Sequence, residues 1–273
     1  MAMGKLAHSG TTSRAGAILD TLIPPICPVS GQEVTAQGAL APEAWAELAF
    51  LTGPRCRSCG REIPGLMPEE TEFRCDICTI YAQPWQRGRA AFRYDGTGRR
   101  LILSLKHGDR LDLVPSLARW MLTAGPELVA EANLIAPIPL HWTRMLKRRY
   151  NQAGELARKI CRLGERHAAF APDLLRRTRR TPPQDGKNRA ARIENIEKAL
   201  TLSPHGRRTL PGKRVLLIDD VLTTGATLAA ATRVCLEGGA AGVDVLVSAL
   251  VNFEEKPYVP PVEAHEDPDN ETD

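Results

Sequence analysis

The sequence predicts an α/β protein whose sheet is mostly parallel and doubly wound, with a small cysteine-rich module in front of it. Three observations carry this prediction. Short continuous apolar runs at 134–138, 215–218 and 243–251 alternate with segments at helical spacing, as in successive βαβ units. Two Cys-x-x-Cys pairs, Cys56/Cys59 and Cys75/Cys78, stand fifteen residues apart where little else could build a core. An Asp-Asp pair and a hydroxyl-rich loop follow the 215–218 run, where open α/β sheets place their ligands.

Taken in order, residues 15–22 predict a short helix that Pro24-Pro25 stops. Residues 41–51 predict a helix with Pro42 near its start, where proline is tolerated. Residues 89–94 predict a strand, with Gly96 and Gly98 marking a turn. Helices follow at 101–106 and 111–122, joined by a Gly108-Asp109 turn, and 134–138 is a buried strand. Residues 151–166 place Ala153, Leu156, Ala157 and Ile160 at helical spacing. The strand 215–218 leads into a helix at 228–236, and 243–251 is the last strand. No internal repeat is present. The chain divides into an N-terminal segment 1–21, the cysteine module 22–84, the α/β domain 85–253 and a tail 254–273.

With 273 residues the chain has room for one α/β domain and a smaller module. Charged residues at 25% and hydrophobic ones at 43% are ordinary for a soluble globular protein. No apolar run approaches the ~18–20 residues that span a bilayer, so membrane insertion is not expected. Residues 1–21 lack an apolar stretch ending in a small-residue cleavage site, which predicts cytoplasmic residence. The net charge of +4 is unevenly spread. From Glu254 onward eight acidic residues and one lysine give −7, leaving +11 on the rest. The tail has prolines, one aromatic and no period, and is expected to be disordered. A basic body favours anionic ligands.

Each Cys-x-x-Cys pair can form a knuckle, and two knuckles can converge on one tetrahedral Zn²⁺, as in a zinc ribbon. Gly60 follows the first pair, where a tight turn helps. Cys56, Cys59, Cys75 and Cys78 would close the coordination sphere, so the expected role of zinc is structural. Cys27 stands as Cys27-Pro-Val-Ser30, with a hydroxyl where a knuckle's second sulfur belongs. Cys161 and Cys235 fall in helical patterns and read as small buried apolar residues.

The Asp219-Asp220 pair and the loop Thr223-Thr224-Gly225-Ala226-Thr227 carry the chemistry. The loop ends at a predicted helix N-terminus, where free backbone N–H groups and the helix dipole favour an anion. Small side chains let a phosphate reach the backbone, and threonine hydroxyls can donate to it. Carboxylates suit diol hydroxyls or Mg²⁺ instead. Together they describe a sugar phosphate, with its diol at the aspartates and its phosphate in the loop. An acidic pair ahead of a capped helix also occurs without any ligand, so the order of the whole stretch is what counts. No Gly-Lys-Thr or Gly-Lys-Ser makes it a Walker A loop, and no G-x-G-x-x-G is present.

Two further segments bear on this chemistry. Pro137, Ile138, Pro139 and Leu140 follow a strand and precede His141, Arg144, Lys147, Arg148 and Arg149. Such a strand-end loop suits a pyrophosphate, although a stiff turn before a solvated basic helix would read the same. The segment 176–192 is long, basic and broken by prolines, as a mobile active-site loop or a solvated connection would be. It lacks the aromatic residues of a stacking platform for single-stranded nucleic acid.

The stretch from Val215 to Thr227 resembles the PRPP-binding signature of type I phosphoribosyltransferases. With Cys56-Arg-Ser-Cys-Gly60, Ala91-Phe-Arg-Tyr-Asp-Gly96, Pro137-Ile-Pro-Leu-His141, Arg149-Tyr-Asn-Gln152 and Thr181-Pro-Pro-Gln184, the chain resembles the ComF family from about residue 22 to 251. That family joins a double zinc ribbon to a phosphoribosyltransferase-like domain and is associated with DNA uptake. The resemblance implies PRPP with Mg²⁺ at Asp219, Asp220 and residues 223–227, with Pro137–Leu140 meeting the pyrophosphate. It implies either transfer of phosphoribosyl to an unnamed acceptor or a non-catalytic adaptor or PRPP sensor. Single-stranded DNA or DNA-uptake proteins are the further partners implied, and oligomerisation is left open. One departure is clear. The family's first four-cysteine site would fall on Cys27, Ser30, Ala41 and Ala44, so one zinc per chain is expected, with Trp45, Leu48 and Phe50 packing the first ribbon half.

Overall fold

Six strands and eight α-helices appear among the described residues of a computed structural model, which are 24–65, 73–107, 110–140, 150–178 and 199–251. The strands are β1 (Gly88–Arg93), β2 (Leu134–Pro137), β3 (Leu175–Arg177), β4 (Leu200–Leu202), β5 (Arg214–Leu222) and β6 (Gly242–Leu250). Four of them form an all-parallel sheet in the order β1-β6-β5-β2, while β3 and β4 pair antiparallel apart from it. All nine residues of β6 are buried, as expected of a central strand covered on both faces.

The helices are α1 (Pro42–Ala46), α2 (Asp76–Ile80), α3 (Gly96–His107), α4 (Val114–Ala124), α5 (Pro126–Glu131), α6 (Gln152–Leu163), α7 (Pro204–Thr209) and α8 (Ala226–Glu237). Alternation along β5 divides the core, because successive strand side chains leave on opposite faces. Leu216 and Ile218 pack with Leu117 and Met121 of α4 and Leu156 and Ile160 of α6. Val215 and Leu217 pack with Leu228 and Cys235 of α8 and Leu202 of β4. The sheet is doubly wound, as its apolar runs predict. Cys161 and Cys235 are buried, and burial pushes their thiols up to about 11 and about 12.

Two expectations are corrected. The helix predicted over 41–51 stops at Ala46, and the chain beyond it runs antiparallel along the free edge of β1. Phe50 bridges Phe92, Leu51 N–H donates to the Ala91 carbonyl at 3.0 Å and Arg93 N–H to that of Ala49 at 2.9 Å. An open sheet edge outcompetes helical spacing here. Gly96 and Gly98 do not mark a turn but open α3. A Cβ at Gly98 would stand 2.3 Å from the Arg93 carbonyl oxygen, so only glycine lets the helix start this close to β1.

The helix predicted at 15–22, the Gly108-Asp109 turn, His141 with its basic cluster, residues 179–192 and the acidic tail lie outside the described residues. No helix among the described residues is long and apolar enough to cross a membrane.

Candidate functional site

Strand β5 runs four residues past the predicted end at Ile218, so the acidic pair lies inside the strand, near its carboxyl end. Asp219 is in register with Val247 of β6. The two carboxylates have different surroundings. Asp220 is 8% exposed and lies 3.0 Å from the Lys106 ammonium, which reaches it from the end of α3. Asp219 accepts the Asp220 backbone N–H at 2.9 Å. Burial first, and the Asp220 charge second, push the Asp219 carboxyl up to about 7.

After β5, Thr223 and Thr224 are exposed and Gly225 takes a left-handed φ of +75° as the N-cap of α8. Thr224 Oγ1 accepts the Ala226 N–H at 3.5 Å. The loop therefore leads into the start of α8, with the helix dipole behind it.

Pro137, Ile138, Pro139 and Leu140 adjoin the same sheet end, but their chemistry is narrower than a strand-end loop suggests. Pro137 is still in β2, opposite Ile218, and the Ile138 N–H donates to the Ile218 carbonyl at 2.9 Å. Neither proline has an N–H. With both prolines lacking a donor and the Ile138 N–H engaged, the segment is a wall more than an anion cradle. Asn151 props that wall by donating from Nδ2 to the Ile138 carbonyl at 3.1 Å.

Cys56, Cys59, Cys75 and Cys78 bring their sulfurs within 4.8 Å of one another, and Cys59 and Cys75 are 3.8 Å apart. A tetrahedral zinc with bonds of about 2.3 Å requires sulfurs about 3.8 Å apart, so the residues present fit the ion. Hydrogen bonding within the cluster pulls the Cys56 thiol far below its ordinary range and pushes that of Cys59 far above it. A cation that all four sulfurs share would relieve this competition for protons. The cluster is a structural zinc site.

The first ribbon half keeps the backbone of a knuckle without its ligands. Gly31 N–H bonds the Cys27 carbonyl and Cys27 N–H the Gln32 carbonyl, as Gly60, Cys56 and Arg61 do in the second half. Gly31 and Gly60 share positive φ values of 75° and 78°. Cys27, Ala41 and Ala44 converge into a small buried cluster with Val29, Val34 and Leu40. Apolar contact fills the place of a metal. Of the residues expected to pack here, Leu48 joins the main core, while Trp45 and Phe50 meet each other at a tilt and meet Trp120 edge to face.

Sequence reading did not find Lys106, Asn151 or Trp85. Lys106 carries no local signal, since its partner is distant in sequence. Asn151 stands before an amphipathic helix and reads as an ordinary N-cap, but its side chain makes no cap hydrogen bond. Trp85 is 3% exposed, and its indole N–H donates to the Ser58 carbonyl at 2.7 Å. The matching glycines after Ser30 and Cys59 were the legible signal of a surviving first knuckle.

The arrangement defines a class: a zinc-ribbon protein whose main domain is a phosphoribosyltransferase-type α/β fold. Comparison with known proteins agrees. Residues 18–79 match a double zinc ribbon domain and residues 151–262 a phosphoribosyl transferase domain. The chain is 28% identical over 198 residues to DNA utilization protein YhgH of Escherichia coli K12, covering 70% of this chain and 81% of that one. It is 27% identical over 180 residues to Competence protein F of Haemophilus influenzae, covering 64% and 75%. The resemblance to the ComF family is thereby borne out, in both domains and in the homologues. Among solved structures, the allosteric regulatory enzyme of purine biosynthesis is 22% identical, with 49% of this chain and 25% of that one covered at a TM-score of 0.31. At that score the likeness adds no weight to the fold, which rests on the sheet and the domain match.

Proposed function

We propose that the carboxyl end of the parallel sheet binds PRPP together with Mg²⁺. Asp219 and Asp220 hold the ribose hydroxyls. Residues 223–227 take the 5′-phosphate on the N–H groups that open α8, and Pro137–Leu140 wall the side from which pyrophosphate leaves. The observation that carries this reading is one continuous succession: the acidic pair at the end of β5, then Gly225 in a left-handed turn at the start of a twelve-residue helix. Lys106 beside Asp220 sets the charge of the diol end.

The activity we assign is phosphoribosyl transfer to a nitrogenous acceptor. The bond from the anomeric carbon to a pyrophosphate oxygen breaks, a bond to the acceptor nitrogen forms, and the acceptor gives up a proton. This demands a firm grip on both phosphate ends and exclusion of water, and no protein nucleophile. Mg²⁺ carried by PRPP would draw charge from the departing pyrophosphate. Calorimetric titration of Mg–PRPP into wild type and into the Asp219→Asn, Asp220→Asn double variant tests the pocket. Equal heats from both would sink it.

A second reading is a protein that binds PRPP without turnover and serves the handling of DNA. The names of the relatives, DNA utilization protein and Competence protein F, favour it. PRPP-dependent release of pyrophosphate across a panel of nucleobases separates the two. Binding of PRPP with no release for any base supports the second, and salt-sensitive binding of single-stranded DNA would add direct contact to it.

A further inference from the structure

Trp85 touches two structures that the sequence keeps far apart. One edge of its ring donates the indole N–H to the Ser58 carbonyl, inside the Cys56-Arg-Ser-Cys59 knuckle. The opposite edge faces Gly225, where an added Cβ would stand 2.9 Å from Trp85 Cη2. Gly225 is glycine twice over, for its φ of +75° and for this close approach. A small cleft lies beside the ring. Cys59, Cys75 and Cys78 line one side of it, and Leu222, Thr223 and Thr224 the other.

We propose that Trp85 is a positioning residue linking the zinc knuckle to the phosphate loop, so that metal held by the four cysteines and anion held by residues 223–227 reinforce each other. The link rests on reading that loop as a phosphate site. Its physical basis is the Ser58 carbonyl, which is fixed twice. Gly88 lies so close to it that a Cβ there would stand 2.1 Å from the oxygen, and Gly88 N–H bonds the adjacent Arg57 carbonyl at 2.9 Å. Convergence of the four cysteines on one ion holds the knuckle that carries this carbonyl.

Without its ion the knuckle is held to β1 only by the Gly88 contacts, and opening of its cysteine side shifts the Ser58 carbonyl away. The buried indole N–H would then lack an acceptor, a state that buried donors escape by moving. Movement of the ring removes the surface against which the Gly225 turn rests, and the loop N–H groups lose the preorganisation that anion binding uses. The reverse follows by linkage: an anion that fixes the turn also fixes the ring and the knuckle.

The test measures, by equilibrium competition with a zinc-selective chelator, how tightly the zinc-loaded full chain holds its ion, with and without saturating Mg–PRPP. Wild type should hold zinc roughly fivefold more tightly or better with PRPP, the lower end of usual coupling between sites. Trp85→Phe should keep its zinc content and its circular dichroism yet lose most of that protection. Benzothienylalanine at position 85 keeps the bicyclic shape without the donor and should behave likewise. Equal protection in wild type and both replacements would overturn the link. Heat of PRPP binding in wild type with no protection of zinc would sink the link and leave the phosphate site standing, whereas no heat at all would remove both.

Discussion

The Lys106 ammonium lies 3.0 Å from the Asp220 carboxylate and joins the end of α3 to the carboxyl end of β5. Side-chain exposures of 22% and 12% leave the pair shielded but not sealed from water. Two elements remote in sequence thus meet at the residue read as a ribose ligand, and the charge at that point belongs to neither alone.

Lys106→Met should destabilise the fold by about 1–3 kcal/mol, because it leaves a largely buried carboxylate without its counter-charge while partial solvent access tempers the cost. Lys106→Arg should restore most of the loss. Urea unfolding of the three proteins measures it, and unchanged stability in Lys106→Met would mean that water already screens Asp220.

Asp219 makes stability depend on pH in an unusual direction. Its carboxyl is raised to about 7 from an ordinary 3.8, so between those values the folded chain holds a proton that the unfolded chain has released. Protonation therefore favours the fold, fully so below about pH 4, and the benefit is lost as pH rises to about 7. Asp219→Asn should remove the dependence, matching wild type near pH 4 and gaining roughly 2–4 kcal/mol on it by about pH 7. Melting curves from pH 4 to 8 test it; parallel curves for the two proteins would refute it.

Metal analysis should find one zinc per chain. Cys59→Ser should abolish it and lower thermal stability, since a structural zinc contributes directly to folding. Cys27→Ser should leave the zinc content unchanged, because Cys27 sits in an apolar cluster with Ala41 and Ala44. Two zincs in wild type would contradict this account of the first ribbon half.

Asp244 at the start of β6 is 1% exposed and holds two guanidinium groups, Arg87 at 2.8 Å and Arg214 at 3.1 Å. Hydrogen bonding to Asp244, and then to Glu131, holds the Arg87 guanidinium above its ordinary range. Asp244→Ala would leave two cations facing each other around a buried gap. A loss of about 3 kcal/mol in chemical denaturation is expected, and a loss below ~1 kcal/mol would show the cluster to be solvated.

The strands 134–138, 215–218 and 243–251 were legible because a parallel strand covered on both faces must be apolar at every position, whatever its neighbours are. The zinc cluster was legible for a similar reason: Cys-x-x-Cys spacing is local, and the knuckle needs only its own few residues. Where reading failed, a remote partner decided. Trp45, Leu48 and Phe50 have helical spacing, but the open edge of β1 drew residues 49–51 into pairing. Pro137–Leu140 look like a donor loop, but the Ile218 carbonyl already takes the Ile138 N–H.

By itself, the sequence determined the fold class, the order of acidic pair and small hydroxyl-rich loop at a helix start, and the four sulfurs that suit one zinc. Each follows from residues adjacent in the chain, whose mutual geometry secondary structure largely sets. The tertiary structure alone decided that Lys106 meets Asp220, that Asp219 is desolvated enough to titrate near neutrality, and that Trp85 spans knuckle and loop. Burial, charge neighbourhood and close approach of glycines are properties of packing between distant segments, and no local pattern encodes them.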